Sequence, residues 1–546
     1  VFAAEHHRVR QPSYAYGVPN SPLLGQTIGE TLRQMVEKQP DSMALVVRHQ
    51  RYRATYRQLW VQTTVAAKAL LGHGVQRGDR VAVWAPNRFE WSILQFATAR
   101  IGAILVCVNP GYSPEGVEHA MALSGTSLLF TAATFEGKSL PSIIGDARAR
   151  LPELRQVYEL DTQWVAFLQF AGQTSDEQLA ERESQIQFDD PVNIQFTSGS
   201  TGRPKGVLLT HFGLVNNARS IGGRMQLTSE DRTVCPAQYF HIMCNTLGML
   251  ACVTHGACMC IPSEVYDPIS TLELIQKVKA TAYVAVPTMY IGVLNHPRFK
   301  EFDVSSLRTG IMAGAPCPIE VMRRVETELH MPQVTICYGM TETSPVACQT
   351  RIDAPTLKRV ETVGEVHPHV EIKIVDLQTG AIVPRGTPGE FCTRGYSLML
   401  GYWRNPEATQ KSIDAARWMH TGDLAVMDDD GFVQVKGRIK EIVLKDGQII
   451  FPRDIEEVVF RHPAVADVQV FAVPDKQRGQ EIMAWVRCRP GQTTTEAELQ
   501  DLCAQQLKPE QFPRYWRFVD AFPTNMAGKN VKYMMQEQVA AEGGPR

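Results

Sequence analysis

At 546 residues, with 44% hydrophobic and 21% charged residues, the chain has an ordinary globular composition and is too long for one hydrophobic core, so roughly two to four domains are expected. A formal net charge of −2 excludes the strongly basic class that binds nucleic acid or anionic membranes through charge, and no run of about 18 apolar residues marks a membrane span. Twelve cysteines without a C-x-x-C pair read as reduced, mostly buried thiols of a cytoplasmic-type compartment, not as a disulfide framework or a zinc site.

Short apolar runs at Arg80–Trp84, Ile104–Val108, Leu128–Phe130 and Ala282–Val286 predict strands. Helical patterns at Glu90–Ile101 and Ser270–Lys279 lie between them. This alternation predicts α/β layers around largely parallel sheets. The richest apolar segment, Leu247–Ile261, is broken by Thr254, His255 and Gly256, and reads as a buried helix, a turn and a strand on which Cys258 and Cys260 share one face. From about Pro368 the texture changes to short strands with tight turns, at Glu371–Asp376, Gly389–Arg394 and Gly431–Lys436, which predicts a β-rich subdomain over about 365–439. After Arg438 a βα pattern returns and supports a small core as far as Met535, with a frayed tail from Ala540. The expected organisation is a large N-terminal domain, 1–439, and a small α/β C-terminal domain, 440–546.

Chemistry concentrates in Thr197-Ser198-Gly199-Ser200-Thr201-Gly202-Arg203-Pro204-Lys205-Gly206. An alternating run, Val192–Phe196, leads into it and an apolar run, Val207–Leu209, leaves it. Glycines let backbone N–H groups approach phosphate oxygens, hydroxyls add donors, and cations neutralise charge. Ser/Gly stretches also serve as flexible linkers, but tight strand-like flanks and Lys205 favour a polyphosphate loop. It is not a Walker A loop, whose spacing occurs nowhere in the chain, and no G-x-G-x-x-G is present. Four further stretches carry chemistry-bearing side chains: Tyr338-Gly339-Met340-Thr341-Glu342-Thr343, Trp418–Asp423, Gly437-Arg438-Ile439-Lys440-Glu441 and Ala527-Gly528-Lys529. Each one alone reads as an ordinary turn.

In this order, the five stretches resemble the motifs of the adenylate-forming superfamily of acyl-CoA synthetases, luciferases and peptide-synthetase adenylation domains. The segments Glu5–Tyr14, Pro22–Leu24, Asp190–Phe196 and Arg394–Trp403 are similar to the medium-chain acyl-CoA synthetase family member 2 group, so the resemblance spans nearly the whole chain. It implies an ATP-dependent ligase that makes an acyl-adenylate, releases pyrophosphate, and passes the acyl group to CoA. It implies a small C-terminal domain that rotates about a hinge at Lys440. The loop residues Thr197, Ser198, Gly199, Ser200, Thr201, Gly202 and Lys205 are implied phosphate ligands. Thr341 is implied at the α-phosphate and Glu342 at Mg²⁺. Gly314, Ala315 and Pro316 are implied on the adenine side with Tyr338, Gly339 and Met340, Tyr338 stacking on the base. Asp423 is implied at the ribose, Arg438 at the nucleotide, His241 in the acyl pocket, and Lys529 as the catalytic lysine. The implied partners are a carboxylic acid, medium-chain or aryl, and an acceptor thiol or amine, with a homodimer as an allowed assembly.

Departures gather where CoA is received. Asp446-Gly447-Gln448-Ile449 replaces the family's Gly-Gly-Glu-Asn, Gln511 with Glu510 stands where a base is usual, Cys244 replaces a glycine near His241, and Asn525 stands where Thr is frequent. An anionic CoA is not favoured by those charges. A second acceptor class therefore stays open: a carrier-protein thiol or an amine, including nitrite activation for diazotisation of an aryl amine. A nucleotide-binding regulator without catalysis is disfavoured by the intact Lys529, Glu342 and Asp423.

Overall fold

The computed structural model describes residues 11–545 except 20, 198–203, 316, 447, 476–477 and 525–528. Two large, mainly parallel sheets form the bulk of the chain. The seven-stranded sheet runs in the order Gly401–Tyr402, Lys205–Thr210, Pro191–Thr197, Ile104–Val108, Arg80–Trp84, Leu128–Thr131, Gln156–Glu159. The nine-stranded sheet has a parallel centre, from Gln333–Gly339 through Thr309–Ala313, Ala282–Ala285, Arg232–Val234 and Cys258–Ile261 to Met43–Val47. Parallel strands need helical crossovers that cover both faces, and the near-continuous apolar runs of the sequence follow from that double burial.

Helix Phe89–Ile101 shows the packing: every residue from Glu90 to Ile101 is buried, and Gly102 ends it in the left-handed region at φ +71°. Its Arg100 stays charged within the interior by stacking 3.6 Å from the Trp60 ring centroid and pairing with Glu183 at 2.5 Å. Helix Tyr56–Gly72 packs beside it and starts from a capping box of Thr55 and Gln58.

The β-rich subdomain is an antiparallel sheet in the order Tyr14–Tyr16, Val370–Val375, Gly389–Gly395, Met419–Met427, Val433–Arg438. A five-stranded sheet of 443–518 with its helices makes the small C-terminal domain. One side of that sheet carries its own core of Phe471, Val473, Met483, Trp485, Phe522, Met535 and Val539. That core reaches Val539, 2% exposed, beyond the expected limit at Met535, and helix Lys532–Ala541 ends at the exposed tail.

The 247–261 segment also differs in detail. A buried π-helix, Met243–Leu250, precedes a short α-helix, Ala251–His255, and the strand Cys258–Ile261. Cys258 and Cys260 do share a face, with their sulfurs 3.7 Å apart. All twelve cysteines are free, and all but Cys488 are buried. No helix among the described residues is long and apolar enough to cross a membrane.

Candidate active site

Strands Pro191–Thr197 and Lys205–Thr210 are antiparallel neighbours with Thr197 opposite Lys205, so the segment between them leaves and re-enters the sheet at one edge. Ser198, Gly199, Ser200, Thr201 and Gly202 lie outside the described residues. At the root of this hairpin the Thr197 hydroxyl donates to the Lys205 carbonyl at 3.5 Å, and the Lys205 ammonium sits 4.4 Å from the Tyr402 ring centroid.

Strand Gln333–Gly339 ends at the rim of the other large sheet and turns through Met340 into Thr341–Thr343. The Thr343 hydroxyl closes this turn by donating to the carbonyls of Met340 and Pro345, at 2.9 and 2.6 Å. The turn leaves Gly339 exposed, Met340 and Thr341 half-buried, and Glu342 buried at 5% exposure. Burial pushes the Glu342 carboxyl up; the Tyr402 hydroxyl, donating to Oε1 at 2.7 Å, and the charges of Lys205 and Arg438 oppose it. A buried carboxylate beside a hydroxyl, facing cations that suit phosphate, is a hard-oxygen donor set that fits Mg²⁺ bound with a nucleotide.

The third group comes from the β-rich subdomain. Asp423 and Arg438 are register partners on adjacent strands, with Arg438 Nε 3.2 Å from Asp423 Oδ1. The Tyr338 hydroxyl donates to Asp423 Oδ2 at 2.6 Å, and its ring meets Phe391 edge-on at 4.9 Å. Both carboxylate oxygens of Asp423 are thus engaged. Burial raises its pKa, against the pull of Arg438, Tyr338 and Lys529.

Lys529 arrives from the C-terminal domain. Burial, then the neighbouring Arg438, pushes its ammonium down to about 8, with Asp423 opposing. His241 is held neutral, pushed down to about 3 by burial and by Lys529, and its Nδ1 accepts the Met243 N–H at 3.2 Å. Gly314 lies against Lys529 in the left-handed region at φ +86°: a Cβ there would stand 3.1 Å from Lys529 Cε and 3.3 Å from Met243 Cε. Ala315 beside it is half-buried, and Pro316 lies outside the described residues. Gly314→Ala is therefore expected to displace the lysine tip and lower acid-dependent ATP–pyrophosphate exchange about tenfold or more, with only a slightly lower melting temperature; exchange kinetics beside a thermal melt check this.

Among the described residues, contacts and charges thus link Lys205, Tyr338, Glu342, Asp423, Arg438, His241, Gly314 and Lys529. Reading the sequence alone missed Tyr402, Glu390 and His420. Glu390 accepts the Gly422 N–H at 3.0 Å and pairs with His420 Nδ1 at 2.8 Å, so it braces the turn before Asp423. With Cys392 these two side chains place their ligating atoms within 4.8 Å of one another, but their hydrogen bonds already use them, and the nearby Lys373 charge opposes a bound cation. A cross-strand pairing between residues 390 and 420 leaves no periodic signal.

Cys244 is fully buried at the start of the π-helix, its N–H donating to the His241 carbonyl at 3.0 Å, and its thiol meets that of Cys235. On the C-terminal side Gln511 Oε1 accepts the Lys508 N–H at 3.1 Å, and Ile449 is 50% exposed. Asn525 and Gly447 lie outside the described residues.

Residues 32–403 match the family model described as AMP-binding enzyme, and residues 454–529 match the AMP-binding enzyme C-terminal domain, a match that ends on Lys529. The chain belongs to the AMP-binding enzyme family. This AMP-binding enzyme is an adenylate-forming ligase with a large N-terminal and a small C-terminal domain. A putative acyl-CoA synthetase of Bacillus subtilis (strain 168) is 41% identical to it over 539 residues, covering 94% of this chain and 97% of the relative. A mitochondrial medium-chain acyl-CoA ligase of Bos taurus is 36% identical, covering 96% of this chain and 90% of the relative. The crystal structure of an anthranilate CoA ligase in complex with anthranoyl-AMP shares the fold, with a TM-score of 0.87 at 24% identity over 96% of this chain and 99% of that one. ATP-bound MatB from Rhodopseudomonas palustris matches with a TM-score of 0.80 at 25% identity, covering 94% of this chain and 99% of that one.

Proposed function

We propose that this AMP-binding enzyme activates a medium-chain carboxylic acid as its acyl-adenylate and transfers the acyl group to CoA. The observation that carries the reading is the convergence of Glu342, Asp423, Arg438, His241 and Gly314 with Lys529, a residue supplied by the other domain. The medium-chain substrate class is supported by the mitochondrial relatives named for it.

In the first step an oxygen of the acid attacks the α-phosphorus of ATP, the bond to the β-phosphate oxygen breaks, and pyrophosphate leaves with that electron pair. Thr197 and Lys205, with the 198–202 loop, bind the phosphates. Thr341 donates to an α-phosphate oxygen, and Lys529 faces the charge that grows there. Such groups act by position and charge, preset in a partly dry site. Glu342 would hold Mg²⁺, which neutralises phosphate charge when bound. Asp423 receives the ribose hydroxyls and Arg438 stays beside it. Tyr338, Gly339, Met340, Gly314, Ala315 and Pro316 form the adenine side, and the neutral His241 lines the acyl pocket without adding charge. In the second step a thiolate attacks the acyl carbonyl and AMP leaves. A hinge at Lys440, in the turn Ile439–Glu441, divides 1–439 from 440–546 and lets another face of the small domain serve that step. Twelve unpaired thiols suit a reducing, cytoplasmic-type compartment.

Gln511, Glu510 and Ile449 on the acceptor side favour testing a second acceptor class. The enzyme is incubated with Mg·ATP and acids from nitrite to dodecanoate, and pyrophosphate release is followed with and without CoA. Release that needs a six- to twelve-carbon acid (about that range) and accelerates with CoA, giving acyl-CoA, is expected. Release indifferent to CoA would move the acceptor to a carrier-protein thiol or an amine; nitrite-dependent release with an aryl amine would mark diazotisation. Absence of any ATP–pyrophosphate exchange would sink the adenylation reading.

A further inference from the structure

The two-residue strand Gly401–Tyr402 closes the edge of the seven-stranded sheet, with Tyr402 opposite Val207 and Gly401 opposite Leu208. Leu400 and Trp403 extend the pairing, donating their N–H groups to the carbonyls of Leu208 and Gly206 at 3.0 and 2.7 Å. This segment therefore rides on the strand that leaves the phosphate loop. Just before it, the Met399 N–H donates to the Glu342 carbonyl at 2.9 Å. The segment thus spans the two rims that the phosphates would touch, one bearing Lys205 and the other Glu342. Gly401 permits the fit: at φ +153° it takes a backbone that other residues rarely adopt, and a Cβ would stand 3.0 Å from Thr409. The Thr409 hydroxyl in turn accepts the Tyr402 N–H at 2.9 Å.

The side chain of Tyr402 uses both of its chemistries. Its hydroxyl donates to Glu342 Oε1 at 2.7 Å, and its ring face meets the Lys205 ammonium 4.4 Å from the centroid. One rigid ring, turning on two torsions, therefore sets the spacing between a buried carboxylate and a cation.

We propose that Tyr402 is a positioning residue for the metal-holding carboxylate: its hydroxyl commits Glu342 Oε1, leaving Oε2 for the divalent cation carried by ATP, while its ring seats Lys205 beside the same phosphates. This rests on the adenylation reading above. Supporting groups that orient a metal-binding carboxylate govern metal affinity nearly as strongly as the ligand itself. The donated hydrogen bond also favours the ionised form of Glu342, against the burial that opposes it.

The test uses the full-length chain, Mn²⁺ as the spin probe, and α,β-methylene-ATP as an unreactive nucleotide. Free Mn²⁺ is followed by electron paramagnetic resonance, a readout independent of turnover. Mn²⁺ is a fair stand-in because it takes the same hard oxygen ligands as Mg²⁺. Tyr402→Phe keeps the ring and loses only the hydroxyl; its Mn²⁺ dissociation constant in the nucleotide complex is expected to rise about 10- to 100-fold. In a Glu342→Gln background the same Tyr402→Phe change is expected to weaken Mn²⁺ no further, since the tyrosine acts through the carboxylate. A merely structural tyrosine would shift the melting temperature without this Glu342-dependent loss of Mn²⁺ affinity. Near-UV circular dichroism checks folding; where the Phe variant does not fold, Tyr402→Leu, which also lacks a donor, is measured against the same criteria. Wild-type Mn²⁺ affinity in the variant, or an equal loss in the Glu342→Gln background, overturns the inference while the adenylation reading stands. A wild-type chain that takes up no Mn²⁺ with the nucleotide overturns both.

Discussion

Lys529→Gln is expected to lower acid-dependent ATP–pyrophosphate exchange by about 10²–10³-fold, the usual effect of deleting one preset charge-stabilising donor. Transfer from a chemically prepared acyl-adenylate to the acceptor is expected to change far less, because the pentavalent phosphate charge no longer forms in that step. Glutamine is polar, neutral and one atom shorter than lysine, so it removes the charge without adding bulk against Gly314. A pH signature accompanies the loss. Burial and Arg438 bring the Lys529 ammonium down to about 8. Below that value the lysine carries its charge; above it the proton is lost and the free enzyme loses its cation. The kcat/KM profile of the native chain should therefore fall as pH rises through about 8, a limb that reports the free enzyme. Bound phosphates restore the cationic form, so the limb in kcat should lie higher. The Gln variant should lack the limb altogether, and a profile that keeps it would assign it elsewhere.

Asp423→Ala is the second large effect. It is expected to raise KM for ATP about 10- to 100-fold, by deleting the charged acceptor offered to the sugar and freeing the groups that hold it. Tyr338 loses a 2.6 Å hydrogen bond and Arg438 its carboxylate partner. Nearly half of the Arg438 side chain reaches solvent, at 47% exposure, so water screens part of that second loss and the fold should survive. The same substitution removes a charge that raises the Lys529 pKa, so the basic limb of kcat/KM should move to lower pH. A variant that weakens nucleotide binding without moving that limb would mean that the two side chains do not sense each other. Asp423→Asn separates the parts, since it keeps an acceptor for the sugar and loses the charge.

The sequence was most legible where chemistry is local. Alternating apolar residues at 192–196 marked the strand Pro191–Thr197, and the apolar–helical alternation marked both large sheets, because a period of two or a short continuous run is set by burial within the element. The chemistry-bearing stretches were legible because each carries its residues within a few positions. Contacts between stretches were not. Nothing in the order of residues says that Asp423 and Arg438 face each other across two strands, or that Lys529 rests against Gly314. Tyr402 belongs to the site through one hydrogen bond that spans 60 residues, and it stood in the sequence only as part of a Gly-Tyr-Trp run. The segment from Leu247 read as an ordinary buried helix, whereas its start belongs to a π-helix, Met243–Leu250, that begins two residues after His241. Such insertions often re-aim side chains at sites, and the apolar content that hid the widening is the same for either helix. The core of the small domain was placed only as far as Met535 because Val539 joins it through partners distant in sequence, such as Phe471 and Trp485.

The seat of Lys529 ties two equilibria into one. The lysine belongs to the small domain, while Gly314, Asp423 and Arg438 belong to the large one. A nucleotide that gains a contact from Lys529 therefore binds more tightly when the small domain is docked, and by thermodynamic reciprocity it makes docking more favourable by the same factor. In the proposed reaction pyrophosphate carries away most of the nucleotide's charge and leaves one on the α-phosphate, so the coupling would weaken once the adenylate has formed. On that proposed reaction, the place where one lysine is attached would link the order of the two half-reactions to the docking of the small domain.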